Sequence, residues 1–283
     1  MNDILQKYKQ DLAIKGYSKK TQTTYFGCVK KFLGSAGKPS DTLDKSDIKS
    51  HLYRILESPK CSCSTMNQTY SAIKYFFQQT LGRPWEIENV PRVKKQYTLP
   101  HVFTQDEVFS IIKGARSLKH KAMFMLAYES GLRVSEIVSL KPEHIKSDKM
   151  RIRIEQGKGH RDRYTILSEM CLKYLREYWR AYKPVEWFFE GYGRGKRLSI
   201  RACEHAFDKA KRIAGIQAIA KRGIHTLRHS FPTHFLEAGG GIFQLQKFLG
   251  HKHIKTTLVY AHMQEEKTIA RSPLDVYGKP GIF

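Results

Sequence analysis

Residues 149–167, KMRIRIEQGKGHRDRYTIL, decide the fold class. Charged and apolar side chains alternate from Lys149 to Ile154, the two-residue period of a half-buried strand. Gln156 to His160 (QGKGH) is a glycine-bearing turn, and Arg163 to Leu167 resumes the extended pattern. The stretch therefore predicts a β-hairpin with Lys158 at or near its tip, and Glu186 to Glu190 is a candidate third strand. Both flanks read as helices. Upstream, Thr104 is an N-cap with Glu107 three residues on, a capping box that starts a helix to about Ala115, and a second helix runs from Lys119 to Ser130. Downstream, helical patterns cover Ser199 to Ala214, His225 to Glu237, Ile242 to Leu249 and Ile254 to Tyr260. A small sheet among many helices predicts a mainly α fold of the α+β class.

The first 82 residues carry helical spacing alone. Asp3 to Ile14, a segment capped by Ser18 and reaching Phe32, one capped by Ser46 and reaching Leu56, and Ser64 to Leu81 imply four helices separated by Gly16, Gly37, Pro39, Pro59 and Gly82. Residues 84–100 (PWEIENVPRVKKQYTLP) hold three prolines and a Lys-Lys pair without helical spacing, so they read as an extended connection. The expected organisation is a helical N-terminal domain over 1–83, a linker over 84–101 and a second domain over 102–283. No internal repeat is present.

Fifty Lys and Arg against 26 Asp and Glu give the 283-residue chain a net charge of +24. Because the cations are spread through the amphipathic segments rather than gathered in a tail, they imply a folded surface facing a polyanion, and nucleic acid is the commonest one. Lys19 and Lys20 in the N-terminal domain and Lys94 and Lys95 in the connection are candidate DNA contacts. The longest apolar stretch, Ala122 to Tyr128, is far below the roughly 18 residues of a membrane span, and MNDILQKYKQ has no export pattern. A cytoplasmic protein is expected. Five cysteines, an odd number, argue for reduced thiols, and the Cys61/Cys63 pair lacks the further nearby ligands of a zinc site.

Cationic and imidazole side chains recur at predicted element boundaries of the second domain. They are Arg133 in SGLRVSE, Lys158 in the hairpin, His225 and Arg228 in HTLRH, and His251 in LGHKH, followed nine residues later by Tyr260. In this order the motifs resemble the tyrosine recombinases of the phage-integrase superfamily, including the integron-integrase and Xer-like site-specific recombinases. The likeness is strong from about Phe103 to His262 and rests on helix pattern and charge before that. It implies a SAM-like core-binding domain and a catalytic domain closing as a C-shaped clamp on double-stranded DNA recombination sites. It further implies a homo-tetramer that exchanges strands through a Holliday junction, with neither cofactor nor metal and no small-molecule substrate. The segment after Tyr260 would reach a neighbouring subunit.

The chemistry of the residue types agrees. Breaking a DNA strand builds charge on the nonbridging phosphate oxygens, and two guanidiniums, Arg133 and Arg228, can clamp them with bidentate bonds. Tyr260 is the candidate nucleophile; with an unperturbed pKa of about 10 it must shed a proton as it attacks. The resemblance adds that the intermediate is 3′-linked. His225, three residues before Arg228 on one helical face, is placed for acid/base assistance at the nucleophile, and Lys158 for protonating the leaving 5′ oxygen. His251 follows Gly250, a helix-ending glycine, and should donate to the phosphate from a turn. The resemblance also implies that Glu136, three residues after Arg133, supports the site by holding a cationic partner. His229 and His234 read as packing or hydrogen-bonding residues of their helix, and His253 and His262 as exposed turn residues.

Two features depart from the family pattern: Pro232 inside the HTLRHSFPTH helix, and Gly239 to Gly241 where a polar N-cap is common. Both bear on rate rather than on class. Two other functions use overlapping residues. A noncatalytic DNA-binding regulator would have no need of Tyr260, and a type IB topoisomerase would relax supercoils without joining two defined sites. Phage integration, integron exchange, transposition and chromosome resolution share the architecture; the reading leans toward a mobile element.

Overall fold

The computed structural model describes residues 2–59, 61–85, 87, 100–155, 162–216 and 223–261. The chain divides into two compact units, Met1–Thr98 and Leu99–Phe283. Lys94, Lys95, Lys158 and His262 lie outside the described residues.

The first unit is formed by α1 (Asn2–Ile14), α2 (Lys19–Ala36), α3 (Lys45–Leu56) and α4 (Cys63–Tyr75), which runs into a π-helical turn at Phe76–Thr80. Ser18 caps α2 as its sequence indicates, accepting from the Thr21 amide. One cap and one helix start differ from expectation. Asp44, not Ser46, starts α3: its carboxylate accepts from the Ser46 and Asp47 amides, while Asp47 accepts from the Asp44 amide. Ser62, not Ser64, starts α4 by accepting from Thr65. In each case the serine two residues on lies inside the first turn. Tyr8, Leu12, Phe32, Ile73 and Phe76 fill the core. Trp85, which donates to the Tyr70 hydroxyl, and Ile87 also pack here, so the beginning of the expected connection adheres to this core.

The second unit is built around α6 (Leu118–Glu129). Every residue from Ala122 to Ala127 is buried, because the helix is apolar on all sides and is packed by α5 (Gln105–Gly114), α8 (Glu169–Tyr182), α9 (Ile200–Ile213) and α10 (His225–Glu237). The capping box of Thr104 and Glu107 is present. After α6 come the four-residue α7 (Val134–Ile137) and a three-stranded antiparallel sheet, β1 (Ile145–Lys146), β2 (Arg151–Ile154) and β3 (Arg163–Ile166), in the order β1-β2-β3. Ile152 faces Thr165 and Ile154 faces Arg163 across the hairpin. Ile152 and Ile154 are buried and Arg151 is exposed, the alternation read from KMRIRI. The expected third strand is wrong: β1 pairs with β2, whereas Glu190 forms only an isolated bridge with Arg197. In 186–190 the buried residues are the adjacent Phe188 and Phe189, so that segment lacks the alternation of a one-faced strand.

The structure adds α8, which is not among the expected elements. Its signal was in the sequence: Ser168 caps it, and Cys171, Leu172, Leu175 and Tyr178 recur on one buried face. The chain ends, within the described residues, with α11 (Ile242–Leu249) and α12 (Lys255–Ala261). Pro232 is buried within α10, and the helix continues through it although it supplies no N–H to the Arg228 carbonyl. Gly241 starts α11 without a side-chain cap. No helix among the described residues is long and apolar enough to cross a membrane.

Candidate active site

The turn between α6 and α7 forms one wall. Gly131 has φ +58°, and a Cβ there would sit 2.7 Å from the Phe231 ring and 2.9 Å from Leu249, so only glycine lets α10 and α11 approach this turn. The approach brings the Gly131 carbonyl to the Arg228 guanidinium, which donates to it through Nη1 and to the Leu249 carbonyl through Nη2 at 3.2 Å. Arg228 is only 7% exposed. Burial, followed by repulsion from Arg133, lowers its pKa to about 9, with Glu136 opposing the shift; it remains charged at neutral pH.

Glu136 is the hub of the cationic side chains. Its carboxylate accepts from the Arg133 backbone N–H at 2.8 Å and Arg133 Nη1 at 2.7 Å, and takes a bidentate pair from Arg163 at 2.9 and 2.7 Å. Arg228 Nη1 lies 3.9 Å from it. Burial alone would raise the carboxyl; the Arg163 hydrogen bonds and charge, reinforced by Arg133, instead hold it at about 2. Three guanidiniums share one carboxylate, so the cluster carries an excess of positive charge suited to a phosphodiester anion. Arg163 also donates from Nε to the Phe248 carbonyl, and Gly250 (φ +67°) lets its stem pass.

Tyr260, on α12, is 7% exposed and packs with Phe231, Leu245 and Leu249. Its hydroxyl lies 2.9 Å from Nδ1 of His229. Burial raises the phenol above its usual range, while Arg228 and Arg133 pull it down. Arg133, Arg228 and the candidate nucleophile therefore share one electrostatic site. His229 is itself lowered, first by burial and then by the charges of Arg228 and His225. His251 stands in the turn after α11, its Nδ1 3.0 Å from the Thr257 hydroxyl. His225 is exposed at the first position of α10, one turn before His229. His234 pairs with the Tyr128 hydroxyl at 2.9 Å, and His253 is exposed before α12, both as read.

Among the candidate residues, the structure gathers Arg133, Glu136, Arg228 and Tyr260. Two participants were not singled out. Arg163 has the signature of an ordinary strand residue, and nothing local marks it as the partner of Glu136. The sequence marks His229 only as a packing or hydrogen-bonding residue of its helix; its partner is the nucleophile candidate. In the first unit, Lys19 and Lys20 are exposed in the first turn of α2, which holds no acidic residue. Among the described residues, no three His, Cys, Asp or Glu side chains come together as metal ligands.

Residues 101–267 match the family model described as the phage integrase family, and residues 4–87 match that of the phage integrase N-terminal SAM-like domain. A putative integrase/recombinase of Sinorhizobium fredii, y4qK, is 35% identical over 282 residues, covering 99% of this chain and 91% of its own. The tyrosine recombinase XerA of Pyrococcus horikoshii is 30% identical over 262 residues, 92% of this chain and 88% of its own. A crystal structure of XerA recombinase aligns with a TM-score of 0.53 and 27% identity, covering 93% and 94% of the two chains. The lambda integrase tetramer bound to a Holliday junction shares the fold, with a TM-score of 0.75, 18% identity, and 95% and 79% coverage. The chain belongs to the phage integrase family and is a tyrosine recombinase, with the SAM-like N-terminal domain and catalytic domain that its motifs imply.

Proposed function

We propose that this recombinase cleaves and rejoins double-stranded DNA at specific sites with Tyr260 as nucleophile. The observation that carries the reading is the sharing of one site by Arg133, Arg228 and Tyr260: the arginines are organised on Glu136, and the charges of both oppose the burial that raises the tyrosine's pKa. Arg133 and Arg228 clamp the nonbridging oxygens, and Tyr260 attacks phosphorus to form a 3′-phosphotyrosyl bond as the bond to the 5′ oxygen breaks. Lys158 protonates that oxygen, His251 donates to the phosphate, and His225 assists acid/base transfer at the reacting group.

The N-terminal domain, 1–83, and the catalytic domain, 102–283, joined by the linker 84–101, each bind the duplex. Lys19, Lys20, Lys94 and Lys95 contact its backbone. Two lysines at the positive end of α2 oppose the helix dipole, so their charge favours an external anion over the helix itself. Four copies on two sites exchange strands through a Holliday junction, in the cytoplasm at the nucleoid, in the service of a mobile element.

The test is covalent trapping. The protein is incubated in EDTA with labelled DNA flanking its own gene and quenched with detergent, and the attached nucleotide is located by peptide mass spectrometry. An adduct on Tyr260 is expected. Tyr260→Phe should bind the same DNA and form none, and Arg228→Ala should keep most binding while cleaving about 100- to 1,000-fold more slowly. An adduct in the phenylalanine variant refutes the nucleophile. Relaxation of supercoils without joined products favours topoisomerase activity.

A further inference from the structure

We propose that His229 is the base that receives the Tyr260 proton during attack; this deepens the reading of Tyr260 as nucleophile and rests on it. A phenol with an ordinary pKa of about 10 is almost wholly protonated at neutral pH, so strand cleavage needs an acceptor at its oxygen. The His229 Nδ1 is 2.9 Å from that oxygen. The rings are 6.3 Å apart and tilted by 32°, so the contact is made through the heteroatoms at their edges rather than by stacking.

The surroundings suit an acceptor. Burial, Arg228 and His225 all disfavour the imidazolium, which keeps the ring neutral and able to take a proton. A carboxylate at this position would offset the cationic field that draws the phosphate in, whereas a neutral imidazole leaves it intact. Arg228 and His229 are consecutive on α10, so one helical turn carries both the phosphate clamp and the base. In the forward step the O–H bond of Tyr260 breaks, its proton passes to Nδ1, the Tyr260 oxygen bonds to phosphorus, and the P–O5′ bond breaks with that oxygen protonated by Lys158. In rejoining, a DNA 5′-hydroxyl passes its proton to the Lys158 amine as its oxygen bonds to phosphorus, the bond from phosphorus to the Tyr260 oxygen breaks, and the imidazolium returns its proton to that oxygen.

Two measurements test this. In the full-length protein without DNA, the ¹⁵N shifts of histidine report the tautomer. The proton is expected on Nε2 with Nδ1 accepting from Tyr260, and a proton on Nδ1 donated to the phenol oxygen overturns the proposal. In the cleavage assay, His229→Asn is expected to slow adduct formation about 100-fold or more. Replacing Tyr260 by 2,3-difluorotyrosine, a more acidic phenol, should recover at least tenfold in that variant and change the wild-type rate little. A wild-type rate in His229→Asn, or a slow variant that fluorination does not recover, assigns His229 a packing role only and overturns the proposal. An adduct in Tyr260→Phe would instead refute the nucleophile. Should the chosen DNA yield no wild-type adduct, the tautomer alone decides.

Discussion

Glu136 organises the cationic side chains of the candidate site. Its carboxylate is bonded to Arg133 and Arg163 and stands 3.9 Å from Arg228, so removing its charge leaves three guanidiniums uncompensated. Its pKa falls from 4.5 to about 2 on folding, which corresponds to about 3 kcal/mol of stability. Because the folded value lies below the unfolded one, this contribution is complete above about pH 4.5 and fades as the pH falls toward 2. Glu136→Gln should therefore lose about 3 kcal/mol at pH 7, measured by urea denaturation, and differ little from the wild type near pH 2. An unchanged gap across that range would mean that the loss is one of shape rather than charge.

At the scale of elements, the site depends on how closely α10 and α11 approach the turn before α7. Gly131→Ala puts a methyl group against Phe231 and Leu249 at a left-handed φ, and should cost about 1–3 kcal/mol. It should also slow cleavage, since the Gly131 carbonyl anchors Arg228; a Tm shift with unchanged cleavage would separate the anchor from the chemistry. The start of α3 offers a second test. With Asp44 as the cap, Asp44→Ala should lower the thermal or urea unfolding midpoint, and Ser46→Ala much less. Equal losses would restore Ser46 as the cap. Both helices lay legible in the sequence, but two hydroxyl or carboxyl residues two positions apart present the same local signal, and the chain's entry direction chooses between them.

For the whole molecule, the net charge of +24 sets the response to salt. If Lys19 and Lys20 each neutralise one phosphate, the double alanine variant should flatten the slope of log affinity against log salt by about 1.8 and weaken binding evenly across DNA sequences. Fluorescence anisotropy over a salt series measures this, and an unchanged slope would remove the pair from the DNA-contacting surface. The pair of strands at 149–167 was also readable, since the period changes sharply there from helical to two-residue. The partner of the hairpin was not: β1 is two residues long, too short to carry a period, and exists because β2 offers it an edge.

By itself, the sequence determined the class of protein, the order of the motifs and most of the helices, because helical period, capping and residue chemistry are written within a few positions of one another. The tertiary structure alone decided that Arg163 reaches Glu136 across 27 residues, that Arg228 reaches Gly131 across 97, and that His229 meets the hydroxyl of Tyr260 across 31. Such contacts follow from which helix faces pack together, and the burial of apolar side chains elsewhere in the chain sets that packing, with no local signal at the residues it joins.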